Sequence, residues 1–145
     1  MNGGNRCLTD LAEHLTTAHN VRVLGYEVDY DARELTIRVE QQGKRLAMRF
    51  AGLVAHHFNH AGIRNVIYDI AAVPLDEFID AERKWLTRTL RYGFPVTVRR
   101  GGLDSLYRSL SEQGCQVFDI RASVGLCGFV IAQRLVIETD TRSRA

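Results

Sequence analysis

The stretch VRVLGYEVDYDARELTIRVEQQGKRLAMRF, residues 21–50, decides the predicted fold. Apolar and polar side chains alternate in three runs, which the polar segments 31–34 and 41–44 separate. A period of two is typical of strands that bury one face, and short polar segments between such runs are typical of hairpin turns. We therefore predict three consecutive antiparallel strands, a β-meander.

The two turns also predict a register. Four-residue connections pair Val28 with Ile37 in the first hairpin and Ile37 with Met48 in the second. Glu27 then faces Arg38, and opposite charges directly across strands stabilise a register. A shift by one residue would move every apolar side chain to the solvent. Both hairpins place the same apolar set on one face: Tyr26, Val28, Tyr30, Leu35, Ile37, Val39, Leu46, Met48 and Phe50.

Residues 51–60 fit either a strand or a helix. We favour a fourth strand, because Gly52 and Gly62 would leave a helix with barely two turns. Elsewhere helical and strand patterns alternate along the chain. Helical spacing occurs in 8–19, 75–90 (after Pro74) and 103–110, and strand patterns occur in 66–70, 96–99, 116–121 and 125–138, the last one broken near Gln133.

This order of elements predicts an α+β fold. Short turns between strands favour a mainly antiparallel sheet, formed by the meander and the C-terminal strands. We expect two or three helices to pack on the apolar face of the sheet. The whole chain, 1–145, is predicted to be a single globular domain, with 1–7 and 139–145 frayed.

The composition excludes several classes of protein. The chain is 25% charged and 46% hydrophobic, which is typical of a globular domain. It has no apolar run of 18 residues and no apolar segment after Met1, so we expect a cytoplasmic protein with no membrane partner. Cys7, Cys115 and Cys127 lack the spacing of metal ligands and are predicted to be free thiols, and no cofactor is predicted.

The histidine cluster His56, His57 and His60 is a candidate metal site. In a helix, His56 and His60 would lie one turn apart and could both bind a metal ion. In a strand the two lie roughly 13 Å apart, because each residue rises about 3.3 Å, and chelation fails. A metal-dependent hydrolase that uses this cluster and a carboxylate such as Asp69 is therefore an alternative function.

Residues 83–100 form the candidate partner-binding segment. This segment carries six basic side chains and no acidic one, and aromatic residues are interleaved with them. Arginine suits the recognition of phosphates and of acidic protein surfaces. The same charge order is also what the dipole of a helix that begins with acidic residues favours. The candidate residues are Arg83, Lys84, Arg88, Arg91, Tyr92, Arg99 and Arg100.

Two carboxylates alternate with apolar residues in predicted strands. Asp69 and Asp119 lie where a strand side chain would be partly buried. A carboxylate in that position must be paired, lie at an edge or have a function. We favour structural pairing with an arginine such as Arg121 over a catalytic role.

Three core-forming runs carry a resemblance to known proteins. They are Phe50-Ala-Gly-Leu-Val-Ala-His-His-Phe, Asn65-Val-Ile-Tyr-Asp-Ile and Leu75-Asp-Glu-Phe-Ile. The region they cover, about 45–80, resembles small uncharacterised bacterial α+β domains, some of them similar to immunity or accessory factors of toxin systems. The resemblance implies a bacterial domain that binds a protein partner, and it brings no catalytic residues.

We therefore favour a non-enzymatic interaction module whose partner is another protein or a second copy of the chain. Nucleic-acid binding through 83–100 is a further alternative. The net charge of +2 is balanced, however, and lacks the basic excess that is usual in nucleic-acid-binding proteins.

Overall fold

Residues 20–140, which a computed structural model describes, form eight strands in one antiparallel sheet, with three α-helices beside the sheet. The predicted α+β class is thus confirmed. The predicted helix over 8–19, Cys7 and the segments 1–7 and 141–145 lie outside the described residues. The strands are β1 (Val21–Asp29), β2 (Glu34–Gln41), β3 (Lys44–Ala51), β4 (Ala55–Asn59), β5 (Val66–Val73), β6 (Gln116–Val124), β7 (Cys127–Ala132) and β8 (Arg134–Thr139). The helices are α1 (Leu75–Ala81), α2 (Arg83–Thr89), which a 3₁₀ turn (Leu90–Tyr92) extends, and α3 (Gly102–Glu112).

The sheet curves until its two ends meet. Its strand order is β4-β7-β6-β5-β1-β2-β3-β8. The terminal strand β4 continues β3 after a bend at 52–54, and β8 continues β7 after a bend at Gln133. The two bent runs pair with each other on both sides of the bend, with Ala51 opposite Arg134 and Ala55 opposite Ile131. The strands therefore enclose an interior, as in other closed antiparallel sheets.

This closure produces two hydrophobic cores. The first fills the interior of the sheet and contains Leu35, Ile37 and Phe50, together with apolar residues of the other long strands. The second lies between the outer face of the sheet and the helices, where Leu106 and Leu110 of α3 are fully buried. The expectation that the helices cover the apolar face of the meander is wrong: that face points into the closed sheet, and the helices pack on the opposite side of the wall.

The second hairpin has the predicted register. Ile37 lies opposite Met48, and Leu35 lies opposite Phe50. In the first hairpin the register is shifted by two residues, so that Ile37 lies opposite Tyr26 and not Val28. The connection still has four residues but spans 30–33, one residue earlier than predicted, and the Asp29 carboxylate stabilises it by accepting a hydrogen bond of 3.0 Å from the Ala32 amide.

A shift of two leaves each residue on its predicted face, since side chains alternate with a period of two. Its consequences are local. Glu27 lies opposite Thr36 and forms its ion pair with Arg38 diagonally. Tyr30 is drawn into the turn and is 70% exposed, while Tyr26 is 43% exposed, so these two tyrosines do not belong to the buried set as predicted.

Of the other predicted elements, some are confirmed and some are wrong. The fourth strand is confirmed as β4, and the break at Gln133 is confirmed. The helix predicted over 75–90 is interrupted at Glu82, whose φ of −104° and ψ of 21° leave the helical region. Residues 96–99 form no strand, and Thr139 is not frayed but ends β8 opposite Leu46.

The two described cysteines bear out the expectation of free thiols. Cys115 and Cys127 are free thiols, and burial raises the pKa of the Cys115 thiol. Among the helices of residues 20–140, none is long and apolar enough to cross a membrane.

Candidate functional site

A groove of about 700 Å³ opens between the first two helices and the outer face of the sheet. Its floor is a row of side chains from three neighbouring strands. His57 of β4 lies opposite Phe129 of β7, and Phe129 lies opposite Asp119 of β6. The floor thus presents an imidazole, a phenyl ring and a carboxylate side by side. We call the whole groove the acidic groove, because Glu77, Glu82 and Asp119 line it.

Aromatic rings form one wall of the acidic groove. The ring centroid of Trp85 lies 4.8 Å from that of His57 and 5.9 Å from that of Phe129. The ring centroids of Phe78 and Phe129 lie 4.8 Å apart in an edge-to-face contact, and those of Phe94 and Trp85 lie 5.5 Å apart in a second one. Rings in such mutual contact stabilise one another, so the wall has its shape before any ligand binds.

Carboxylates give the groove its charge. Glu77 of α1 and Glu82 line it and are exposed, and neither forms an ion pair with another residue of the described chain. Asp119 is different, because it accepts a hydrogen bond of 3.1 Å from Arg121, which also bonds Asp69 at 3.1 Å. The predicted pairing of Asp69 and Asp119 with Arg121 is confirmed. The bond to Asp119 is the main cause that raises the pKa of the Arg121 guanidinium.

Gly128 brings the strands of the floor close together. Its φ is +140°, a conformation that residues with a Cβ rarely adopt. A Cβ at this position would lie 2.0 Å from the carbonyl oxygen of His57 on the neighbouring strand. Because Gly128 has no side chain, β4 can approach β7 closely, and the side chain of His57 then lies next to the ring of Phe129.

The three histidines point in different directions. His57 faces the helices, as described above. His56 faces the other side of β4, where its Nε2 shares a hydrogen bond of 2.9 Å with the Tyr30 hydroxyl and its ring lies 5.5 Å from that of Phe58. Burial, and then the charge of His57, lowers the pKa of His56. His60 follows the strand at a φ of 61° and is exposed.

The metal site predicted at His56 and His60 receives no support from this arrangement. In the part of the chain that the structure describes, no group of three or more histidine, cysteine, aspartate or glutamate residues could hold a metal ion. The strand conformation of β4 removes the one-turn spacing on which the candidate depended.

The basic side chains of 83–100 lie on the outer side of the helices. Arg91, Arg99 and Arg100 line one shallow depression of about 240 Å³. Arg99 and Arg100 also line a second depression of about 300 Å³, together with Arg108 of α3 and one carboxylate, Glu112. Sequence analysis missed Arg108, because it lies outside the basic segment and only the packing of α3 against 97–100 brings it there.

The predicted partner-binding residues thus form two groups. Arg83, Lys84 and Arg88 line a third depression beside Asp80 and Glu82, and Arg83 forms an ion pair of 3.3 Å with Asp80. The other group is exposed and forms no ion pair with another described residue, and Tyr92 beside it is 86% exposed. We call this group the arginine surface: Arg91, Arg99, Arg100 and Arg108, with Tyr92.

Comparison of the chain with protein-family models, with curated proteins and with solved structures finds no match. The arginine surface and the acidic groove are therefore the observations that bear on function.

Proposed function

We propose that the protein is a non-enzymatic interaction module that binds an acidic surface of a partner protein through the arginine surface. The observation that carries this proposal is the set of four exposed arginines without a carboxylate partner among the described residues. Arginine and tyrosine are the residue types that protein interfaces favour, since both bury a large area and keep a polar end for hydrogen bonds.

The geometry of the acidic groove favours binding over hydrolysis. A general base must lie within hydrogen-bond reach of the group whose proton it takes, and of any side chain that orients it. His57 and Asp119 are two strands apart, with Phe129 between them. That separation is about 10 Å, because neighbouring strands lie about 4.8 Å apart. This distance supports the non-enzymatic proposal.

Nucleic acid is the second candidate ligand of the arginine surface, because phosphates and carboxylates are both recognised by guanidinium groups. One observation favours a protein. The net charge of the chain is +2, whereas a basic excess is usual for nucleic-acid binding. An immunity-like role and self-association are specific forms of the same proposal.

The experiment compares three tagged proteins in the native host. They are the wild type, the double variant Arg91→Glu/Arg99→Glu and the control double variant Arg64→Glu/Arg134→Glu. The control reverses two arginines that are also exposed, lie away from the arginine surface and form no ion pair with another described residue. Because all four sites are exposed, both variants should fold, which thermal unfolding checks.

We expect an acidic protein to co-purify with the wild type and the control and to be lost from the double variant. With the purified partner, the double reversal should weaken binding at least about fourfold, since each exposed ion pair contributes about 0.2–1 kcal/mol and each reversal adds repulsion of similar size. Binding should also weaken with salt. Equal capture by all three proteins would contradict the proposal, as would a wild type that is monomeric and partnerless at every concentration. Salt-dependent binding of an oligonucleotide duplex that the double reversal abolishes would favour nucleic acid instead.

A further inference from the structure

The acidic groove is distinct from the arginine surface, and its chemistry is opposite. Among residues 20–140, no lysine or arginine lines it, although Arg83 and Lys84 lie on the same helix as Trp85. Two of its carboxylates, those of Glu77 and Glu82, lack an ion pair with any described residue. The groove therefore has an excess of negative charge at its rim.

The size and the aromatic walls of the groove place a second requirement on its ligand. Its volume of about 700 Å³ falls in the range of about 300–1,000 Å³ that is usual for small-ligand sites. Its wall and floor are the rings of Trp85, Phe78 and Phe129, with His57 beside them. Aromatic faces attract cations within about 6 Å, and they attract substituted ammonium and guanidinium groups in particular.

We infer that the acidic groove binds an organic cation, a guanidinium or alkylammonium group that lies against Trp85 and Phe129 and is neutralised by Glu77 and Glu82. An inorganic cation would gain little from the rings because it holds its water shell strongly, and a neutral apolar ligand would gain little from the carboxylates. The cation can belong to a free small molecule or to an arginine side chain of a peptide. Both sources have the same chemistry, and separate titrations distinguish them.

Trp85 provides a direct readout, because it is the single tryptophan of the chain and is half-buried in the groove wall. Its fluorescence and its indole ¹⁵N–¹H resonance are followed while choline or agmatine is added. The neutral isostere of choline, 3,3-dimethylbutan-1-ol, is the matched control ligand. The peptide acetyl-Gly-Arg-Gly-amide, compared with its glutamine counterpart, tests the second source.

We expect saturable changes with the cations and none with the neutral ligands. The variant Glu77→Gln/Glu82→Gln should weaken binding about two- to thirtyfold, because each exposed charge pair contributes about 1.4- to 5.4-fold. The control Asp76→Asn/Asp31→Asn removes two exposed carboxylates outside the groove, one of them adjacent to Glu77, and should bind as the wild type does. Saturation by small cations alone indicates a free ligand, and saturation by the arginine peptide alone indicates a peptide.

Three results would overturn the inference. The first is no saturable change in either signal at ~50 mM cation, where even a site with a millimolar Kd is filled. The second is equal binding of choline and its neutral isostere, and the third is equal affinity in the two carboxylate variants. None of these measurements involves Arg91 or Arg99, so they fail or succeed independently of the proposed interaction through the arginine surface.

Discussion

The substitution Gly128→Ala tests the contact that builds the floor of the acidic groove. The new Cβ would lie 2.0 Å from the carbonyl oxygen and 3.0 Å from the carbonyl carbon of His57. Both atoms belong to the backbone of β4, so relief requires β4 and β7 to move apart. A forced contact of this kind costs about 1–3 kcal/mol, and a non-glycine residue at a φ of +140° costs about 1–3 kcal/mol more. We therefore expect the free energy of unfolding to fall by about 4 kcal/mol.

Two further glycines separate the clash from the backbone strain. Gly114 has a φ of +71° with no atom within 4 Å of an added Cβ, so Gly114→Ala carries the strain alone, about 1–2 kcal/mol. Gly25 has open space as well and no positive φ, so Gly25→Ala should cost nothing or stabilise slightly. Urea unfolding of the three variants, followed by the fluorescence of Trp85, gives the three free energies on one scale.

The order of the three variants decides the outcome. A loss in Gly128→Ala that clearly exceeds the loss in Gly114→Ala supports the close approach of β4 to β7. Equal losses would refute the reasoning, because the clash with His57 would then contribute nothing. The geometry of the groove floor would have to be abandoned with it.

Two other predictions concern the second core and His56. Leu106→Ala empties a fully buried position under α3 and should lower the free energy of unfolding by about 3 kcal/mol in urea, whereas Tyr107→Ala, one residue further and partly exposed, should cost less than half of that. Because the pKa of His56 is lowered in the folded protein, the unfolded chain takes up its proton first. The stability that neutral His56 contributes is therefore fully present above the unfolded pKa of about 6.5 and is lost as pH falls through and below that value. His56→Gln should flatten this part of the curve of unfolding free energy against pH; identical curves for the wild type and the variant would contradict the assignment.

The local structure of the meander could be predicted because its signals are local. Alternation identified the strands, and Gln41 and Lys44 flank a tight connection that fixes the second hairpin. The first hairpin was misplaced by two residues because a shift of two preserves every face, and one hydrogen bond of Asp29 stabilises the observed connection. The closure of the sheet lay beyond prediction, since the bends at 52–54 and Gln133 do not change which side chains alternate.

The candidate site could be predicted only in part for a related reason. His57, Phe129 and Asp119 are adjacent because β4, β7 and β6 are neighbours, and strand order is set by the whole sheet. The alternation of Asp119 with apolar residues indicated a carboxylate that needs a partner, and the predicted partner, Arg121, does form the ion pair. The basic segment was visible in the sequence, whereas the contribution of Arg108 depended on how α3 packs.

The two surfaces differ in sign, and this difference constrains any self-association. A contact between the arginine surface of one copy and the acidic groove of another would use two different patches. Such a contact forms a two-fold dimer when both patches of each copy meet the partner reciprocally, whereas a single contact is heterologous and continues as a chain of copies unless the rotation closes a ring. Loss of self-association in both Arg91→Glu/Arg99→Glu and Glu77→Gln/Glu82→Gln would identify a contact between the two surfaces. Loss in only one of these variants would separate the partner of the arginine surface from the ligand of the groove.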